Sequence, residues 1–227
     1  MRNFVKSMFA PMVLLVDTSV SILKCSVTDE VNSGLKEFYE GLSRDYLING
    51  RADILIVPFG SDVNVKIGFS SVDLCSAPVF SSDGPASMNQ ALLLALSEIQ
   101  KRKDLYRSQG FKWCKACLFL LTDGLTANDG YQSEAVNEVR KAIEDKKIKY
   151  VPVGIGSADI KQLQKYYPEN YDQKIVLKAD AKSFANLFSY LLIDDNDFPE
   201  PDDSLKLPIT PSDIKLPEVP PDIIIDL

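Results

Sequence analysis

A chain of 227 residues with 45% hydrophobic and 25% charged residues has room for one α/β domain of about 180 to 200 residues and an additional segment. Its net charge of −7 argues against broad nucleic-acid binding, and the absence of histidine removes the commonest general base, the Ser-His and Cys-His pairs, and His-containing zinc sites. The charge is uneven: from Asp194 to Leu227 ten acids face only Lys206 and Lys215, so this end carries −8 and the rest of the chain +1.

In chain order, Met1 to Val16 has the outline of a signal peptide, with Arg2, Lys6 and a short apolar run, but no small-residue cleavage site follows. It reads as a first strand and the protein as cytoplasmic. Met12-Val13-Leu14-Leu15-Val16 is continuously apolar, as in a strand buried on both faces of a parallel sheet, and it ends on Asp17-Thr18-Ser19-Val20-Ser21. Three small oxygen-bearing side chains at alternate positions suit a hard cation such as Mg²⁺; they equally suit a turn capped by Asp and Ser. Thr28-Asp29-Glu30 opens a helix that runs to about Arg44 through Val31, Leu35, Phe38, Tyr39 and Leu42. Ala52 to Phe59 is a strand whose Pro58 places that end at an edge or bulge, and Val63, Val65 and Ile67 alternate as a short hairpin partner.

Ser70 to Pro85 is a loop rich in Ser, Asp and Pro. The helix after it buries Met88, Ala91, Leu92, Ala95, Leu96 and Ile99 and is expected to end at Lys101-Arg102-Lys103, where cations complement the helix dipole. Ala116 to Thr122 is a second central-type strand and also closes on an aspartate, Asp123-Gly124. Further elements are a helix over 133–146, a strand over 149–156, a short helix over 157–166, a strand over 174–177 and a helix over 181–191. Strands alternating with helices predict an α/β doubly wound fold, a mostly parallel central sheet with helices on both faces. Ligands of such folds bind beyond the carboxyl ends of the strands, where Asp17 and Asp123 would meet.

Asp17-Thr18-Ser19-Val20-Ser21, Gly84 before a small-residue helix start, and Leu120-Leu121-Thr122-Asp123-Gly124, in this order, resemble the von Willebrand factor A domain family over about residues 10 to 192. Val31-Asn32-Ser33-Gly34-Leu35, Phe119 to Gly124 and a Pro-rich acidic end most resemble its bacterial TerY-like subgroup, associated with tellurium-resistance gene clusters. The resemblance implies a metal-ion-dependent adhesion site for Mg²⁺ (or Mn²⁺). Ser19 and Ser21 are then direct ligands, Asp17 and Asp123 act directly or through water, and a partner carboxylate fills the open position. Two positions depart from the pattern. Val20 replaces a glycine, which would strain the loop if it needed positive φ. Gly84-Pro85-Ala86-Ser87 stands for Gly-Gly-Thr and puts Ala86 at the threonine position, leaving Ser87 or Asp83 as candidate substitutes.

Cys114 and Cys117 precede a strand, with no second ligand pair, and read as buried small hydrophobes; Cys25 and Cys75 complete the four cysteines. No Gly-x-Gly-x-x-Gly or Walker pattern occurs, and Gly154 and Gly156 read as a strand exit. A domain over 1–192 is thus followed by an acidic Pro-rich tail over 193–227. There Lys-Leu-Pro-x-x-Pro-x-Asp-Ile occurs twice, at 206–214 and 215–223. The tail is expected to be a solubilising segment, a strap on its own domain, or a second docking element. TerY-like proteins are encoded beside a kinase and a phosphatase in some clusters, which implies such partners and makes Ser204, Thr210 and Ser212 candidate phosphorylation sites. The expected function is a non-enzymatic interaction module that binds an acidic residue of a protein partner through the metal. The alternatives are an Mg²⁺-dependent hydrolase or phosphoryl-transfer component, and a metal-free scaffold binding through its tail. Nucleic acid and membrane are not expected partners.

Overall fold

The apolar run near the start forms the long strand β1, Met8–Asp17, and Met12 through Val16 are wholly buried. The computed structural model describes residues 8–23, 32–33, 35–36, 39–40, 52–71, 74, 76–81, 84–126, 128, 130–172, 174–178 and 224–226. β1 lies at the middle of the sheet. On one side it pairs in parallel with β2, Ala52–Phe59, from Ala10↔Ala52 to Asp17↔Phe59. On the other it pairs in parallel with β5, Ala116–Thr122, from Met12↔Cys117 to Val16↔Leu121. Successive side chains of a strand point to opposite faces. Met12, Leu14 and Val16 therefore enter one core layer and Val13 and Leu15 the other. β5 divides the same way, with Phe119 and Leu121 in the first layer and Leu118 and Leu120 in the second. This double burial is why both strands read as unbroken apolar runs. Each fully buried Leu, Ile or Phe contributes roughly 1.5–3 kcal/mol of transfer free energy.

The first layer is covered by Ile22 of α1, Val20–Leu23, by Leu35 and Tyr39 of the next helical residues, and by Phe80. The second is covered by α2, Met88–Gln109, α3, Gln132–Glu144, and Leu163 of α4, Ile160–Gln164. The remaining strands are β3, Ile67–Ser71, β4, Lys112–Trp113, β6, Ile148–Gly154, β7, Val176–Lys178, and β8, Ile224–Asp226. The sheet order is β3-β2-β1-β5-β6-β7-β8, with β4 beside β1. β3 and β8 are antiparallel to their neighbours and the other ladders are parallel. The fold is the doubly wound α/β architecture expected from the element order. The strand order reverses between β1 and β5, so the carboxyl ends of those two strands form the switch-point rim.

Several boundaries differ from expectation. The hairpin partner of β2 is not centred on Val63 to Ile67. Only an isolated bridge, Phe59↔Val63, forms there, and the strand proper is Ile67–Ser71, because Gly60 to Lys66 is spent turning the chain. The β2–β3 ladder extends only to Ile56↔Ile67, with a register shift after Ile54, so Pro58 stands where β2 is paired on its β1 side alone. Pro152 is placed alike, opposite Leu120 of β5 and before the β7 ladder starts at Val153.

α2 does not stop at Lys101-Arg102-Lys103. It continues to Gln109 and ends on Gly110 at φ 69°, where Gly110 N–H bonds Arg107 O and Phe111 N–H bonds Tyr106 O, a Schellman closure. The three cations instead have side partners: Lys101 on Glu98, Arg102 on Asp53, and Lys103 donating to Lys147 O. The β4 pairing has no counterpart in the periodicity, since two residues make no period. Cys117 is packed in the first core layer, and neither it nor Cys114 is in a disulfide. Cys25, Cys75, Asp83, the expected helix over 181–191 and the tail other than Ile224–Asp226 lie outside the described residues. Among the described residues no helix is long and apolar enough to cross a membrane.

Candidate functional site

β1 delivers Asp17 to the rim, and the backbone turns there by local bonds. Asp17 Oδ1 accepts from Ser19 N–H at 2.9 Å, Ile22 N–H donates to Ser19 O at 3.1 Å, and α1 begins at Val20. The Ser19 and Ser21 hydroxyls are 2.9 Å apart. Val20 carries no strain: among the described residues only Lys146 departs from negative φ outside the glycines. The positive φ that would have penalised Val20 is not required. Its N–H bonds Gly84 O at 3.0 Å, and its side chain is exposed. Gly84 itself sits at φ +54°, and a Cβ there would meet Ser61 Cβ at 2.7 Å. Only glycine joins the two loops at this point.

β5 delivers the second carboxylate. Asp123 Oδ1 accepts from Leu125 N–H at 2.8 Å, and Asp123 O accepts from Asp159 N–H at 2.8 Å. Thr122, fully buried, links the two strand ends. Its hydroxyl donates to Asp17 Oδ2 at 2.5 Å and accepts from Gly124 N–H at 3.0 Å. Asp17 and Asp123 are both buried, and among the described residues neither forms an ion pair with Lys or Arg. Burial pushes the Asp17 carboxyl up to about 6; hydrogen bonds from Ser19 and Thr122 oppose the rise, and the charge of Asp123 adds to it.

A depression of about 410 Å³ opens over these loops, lined by Ser19, Val20, Ser21, Gly84, Pro85, Ala86, Leu125 and Thr126. Both carboxylates are bonded to backbone of this lining, Asp17 to Ser19 and Asp123 to Leu125. The structure therefore gathers Asp17, Ser19, Ser21 and Asp123 at one rim. Ser87 is buried at the entry of α2. It is the N-cap of α2, its N–H bonds Gly60 O, and it is not part of the lining. Two residues of the site had no role in the sequence reading. Thr122 was legible only as part of Thr-Asp-Gly, and Thr126 sits in a loop with no periodicity to mark it. Among the described residues no group of three or more His, Cys, Asp and Glu side chains is gathered closely enough to hold a metal ion. A cation here would take serine or threonine oxygens along with the two carboxylates, a set that suits Mg²⁺ or Mn²⁺ rather than zinc.

The family model of the von Willebrand factor type A domain matches residues 12–189. The chain belongs to the von Willebrand factor type A family. Solved structures share the fold of this von Willebrand factor type A domain. One is the manganese-loaded TRAP protein of Plasmodium vivax, at TM-score 0.57 and 21% identity over 81% of this chain and 73% of that one. Another is the pilus adhesin SpaC from Lactobacillus rhamnosus GG in its open conformation, at TM-score 0.59 and 14% identity over 81% of this chain and 29% of that one. A third is proximal thread matrix protein 1 from the mussel byssus, at TM-score 0.55 and 13% identity over 82% of this chain and 48% of that one. At such identities the likeness is one of fold, and the chain spans less than half of the latter two proteins. No curated protein matches it in sequence.

Proposed function

We propose that this von Willebrand factor type A domain is a protein-interaction module whose switch-point rim holds a divalent cation, Mg²⁺ or Mn²⁺, and through it an acidic residue of a protein partner. Ser19 and Ser21 are assigned as direct ligands, and Asp17 and Asp123 as direct or water-bridged carboxylates. The observation that carries the reading is a pair of buried acids with no basic side chain against either among the described residues. Two desolvated like charges are costly without a counter-charge. A bound divalent ion would neutralise them, and a partner carboxylate would take the position that the protein leaves open. Val20, Pro85 and Leu125 around the hydroxyls offer apolar contact to whatever flanks that carboxylate.

Catalysis is not part of the proposal: the sequence has no histidine to act as general base beside the carboxylates. The TerY-like placement, a cytoplasmic location and a kinase or phosphatase partner rest on the sequence motifs and remain part of this proposal only.

Binding of Mn²⁺ to the purified chain by titration calorimetry tests the reading. Wild type is expected to bind, and Asp17→Ala and Ser19→Ala to lose at least about tenfold in affinity, since even outer partners of metal ligands are worth 10–100-fold. At a hundred times Kd the ion should add about 2.7 kcal/mol to unfolding stability. Absence of binding in wild type sinks the metal reading. Partner capture that survives EDTA and Asp17→Ala but fails on deletion of 194–227 would transfer recognition to the tail.

A further inference from the structure

The two ends of the sheet differ in charge. Asp17 and Asp123 lie at the carboxyl end. The amino end is basic, and three elements bring its cations together. The parallel pairing of Ala116 with Ile148 sets the preceding residues, Lys115 and Lys147, side by side, and Lys149 stands opposite Cys117. Lys103, from the later turns of α2, donates to Lys147 O at 2.6 Å. Burial and then the Lys147 charge lower its ammonium from the ordinary value, as expected where cations crowd. Lys112, on β4 opposite Met8, and Arg107, 5.8 Å over the Trp113 ring, extend the group along the start of β1. Against these six cations stand two acids, Asp104 on Arg107 and Asp145 on Lys147, so the group carries +4; the adjacent Glu144 and Lys146 cancel. Aromatic surface lies beside it: Phe111 is exposed next to Lys112, and Trp113 is half-buried.

We propose that this basic and aromatic face at the amino end of the sheet is the docking surface for the chain's own acidic Pro-rich segment, residues 194–223. The first argument is charge. Nine acids from Asp194 to Asp222 stand against Lys206 and Lys215, so the segment carries −7. One exposed ion pair is worth little, but charges gathered within a Debye length, about 10 Å at 0.1 M salt, attract as a group. The acids at the carboxyl end of the sheet repel the same segment. The second argument is tethering. Ile224–Asp226 pair with Val176–Lys178, so the chain that leaves the β7 edge returns to it and the 45 residues 179–223 are held to this domain at both ends. Docking is then intramolecular, at an effective concentration on the order of millimolar, where weak contacts suffice. The third is reach. The pairing sets Ile224 beside Lys178, at the carboxyl end of β7. Asp213 lies eleven residues earlier, or about 34 Å of extended Pro-rich chain. The seven-residue β6 is only about 23 Å long, and β5 is about 10 Å to the side of β7. Asp213 and the six acids before it therefore reach Lys147 and Lys112. The repeat Lys-Leu-Pro-x-x-Pro-x-Asp-Ile interleaves proline with acid, and Phe111 and Trp113 beside Lys112 and Arg107 offer both halves of its complement.

The test uses the full chain in EDTA, so that it is independent of the metal reading above. Trp113 is the chain's single tryptophan, and quenching of its fluorescence by uncharged acrylamide reports cover on this face. A variant with D194N, D195N, D197N, E200Q, D202N and D203N leaves the body and residues 224–226 unchanged. Its quenching constant is expected to exceed that of wild type at least about twofold, and wild type should rise alike when salt goes from about 20 to about 500 mM. Carbodiimide coupling at low salt should join Lys112, Lys115, Lys147 or Lys149 to acids of 194–213 within one chain. Arg107→Glu with Lys112→Glu should cut the coupling at Lys115, Lys147 and Lys149 at least about threefold. If that pair fails to fold, the tail-neutralised variant decides the matter. Quenching equal in wild type and the tail-neutralised variant at both salt concentrations overturns the inference. Coupling as strong at Lys161 and Lys165 of α4 overturns it too, and coupling between isotope-labelled and unlabelled copies assigns the face to a second molecule instead.

Discussion

Asp17 is the residue on which burial and charge meet. Its carboxyl is raised from 3.8 to about 6 by burial, against the hydrogen bonds from Ser19 and Thr122. The sign of the linkage follows. Below about pH 4 the group is protonated in both states and costs nothing. Between about pH 4 and 6 the unfolded chain releases the proton while the folded chain retains it, so stability falls as pH rises. Above about 6 the full penalty, about 3 kcal/mol, is present. In EDTA, Asp17→Asn should therefore gain stability relative to wild type as pH goes from 4 to 7, read as a growing difference in urea midpoints. A constant difference would contradict the burial of a charge here. Gly124 makes a second prediction at this scale. It lies at φ +79°, and a Cβ would sit 3.0 Å from Asp159 O, whereas Gly130 at φ +74° has open space around it. Gly130→Ala should cost about 1–2 kcal/mol from backbone conformation alone. Gly124→Ala should cost more, roughly 2–4 kcal/mol, because it also displaces the Asp159 backbone that bonds Asp123 O.

At the scale of elements, α2 owes its length to a polar clamp. Asp53, buried in β2, takes Arg102 at 2.5 Å and the Tyr106 hydroxyl on the same carboxylate oxygen. Arg102 also lies over the rings of Phe69 and Tyr106, 5.6 and 5.2 Å from their centroids. The clamp ties the later turns of α2 to the amino end of β2, at the opposite end of that strand from the Asp17 rim. Burial and the adjacent Asp53 charge both push the Tyr106 hydroxyl far above its ordinary value, so it remains a donor. Asp53→Ala leaves Arg102 and Tyr106 without this acceptor. It should destabilise by about 2–3 kcal/mol, below the range for a fully buried pair because Arg102 is a quarter exposed. Asp53→Leu combined with Arg102→Met should cost less than the Asp53→Ala change. A double-mutant cycle with no coupling would show that the clamp is not a unit.

For the whole molecule, the sheet is closed on one side by β3 and on the other by β8, which comes from the far end of the chain and pairs antiparallel with β7 from Val176↔Asp226 to Lys178↔Ile224. Buried residues of β1, β2, β5, β6, β7 and the helices build the two core layers. Deleting 224–226 removes this ladder from the β7 edge. Amide exchange at Val176 to Lys178 should accelerate while that of β1 and β5 stays slow. Equal acceleration in β1 would mean that the edge strand supports the core.

The doubly wound order, the two central strands and the four rim residues Asp17, Ser19, Ser21 and Asp123 were legible in the amino-acid sequence. A strand buried on both faces must be apolar at every position, and the change from that run to Asp marks where it leaves the core. What periodicity did not carry was anything settled by a partner distant in the chain. The run Lys101 to Lys103 looked like a helix end because charge favours that place, yet Asp53 recruits Arg102 and the helix continues to Gly110. The contact of Thr126, from the loop after β5, with the backbone carbonyl of Ala86 likewise joins two loops 40 residues apart and has no mark in the sequence. The sequence by itself determined which segments are buried, because burial is written in composition. Only the tertiary structure decided which oxygens share a rim, because the loops that meet there are set by the crossing of β1 and β5 rather than by spacing along the chain.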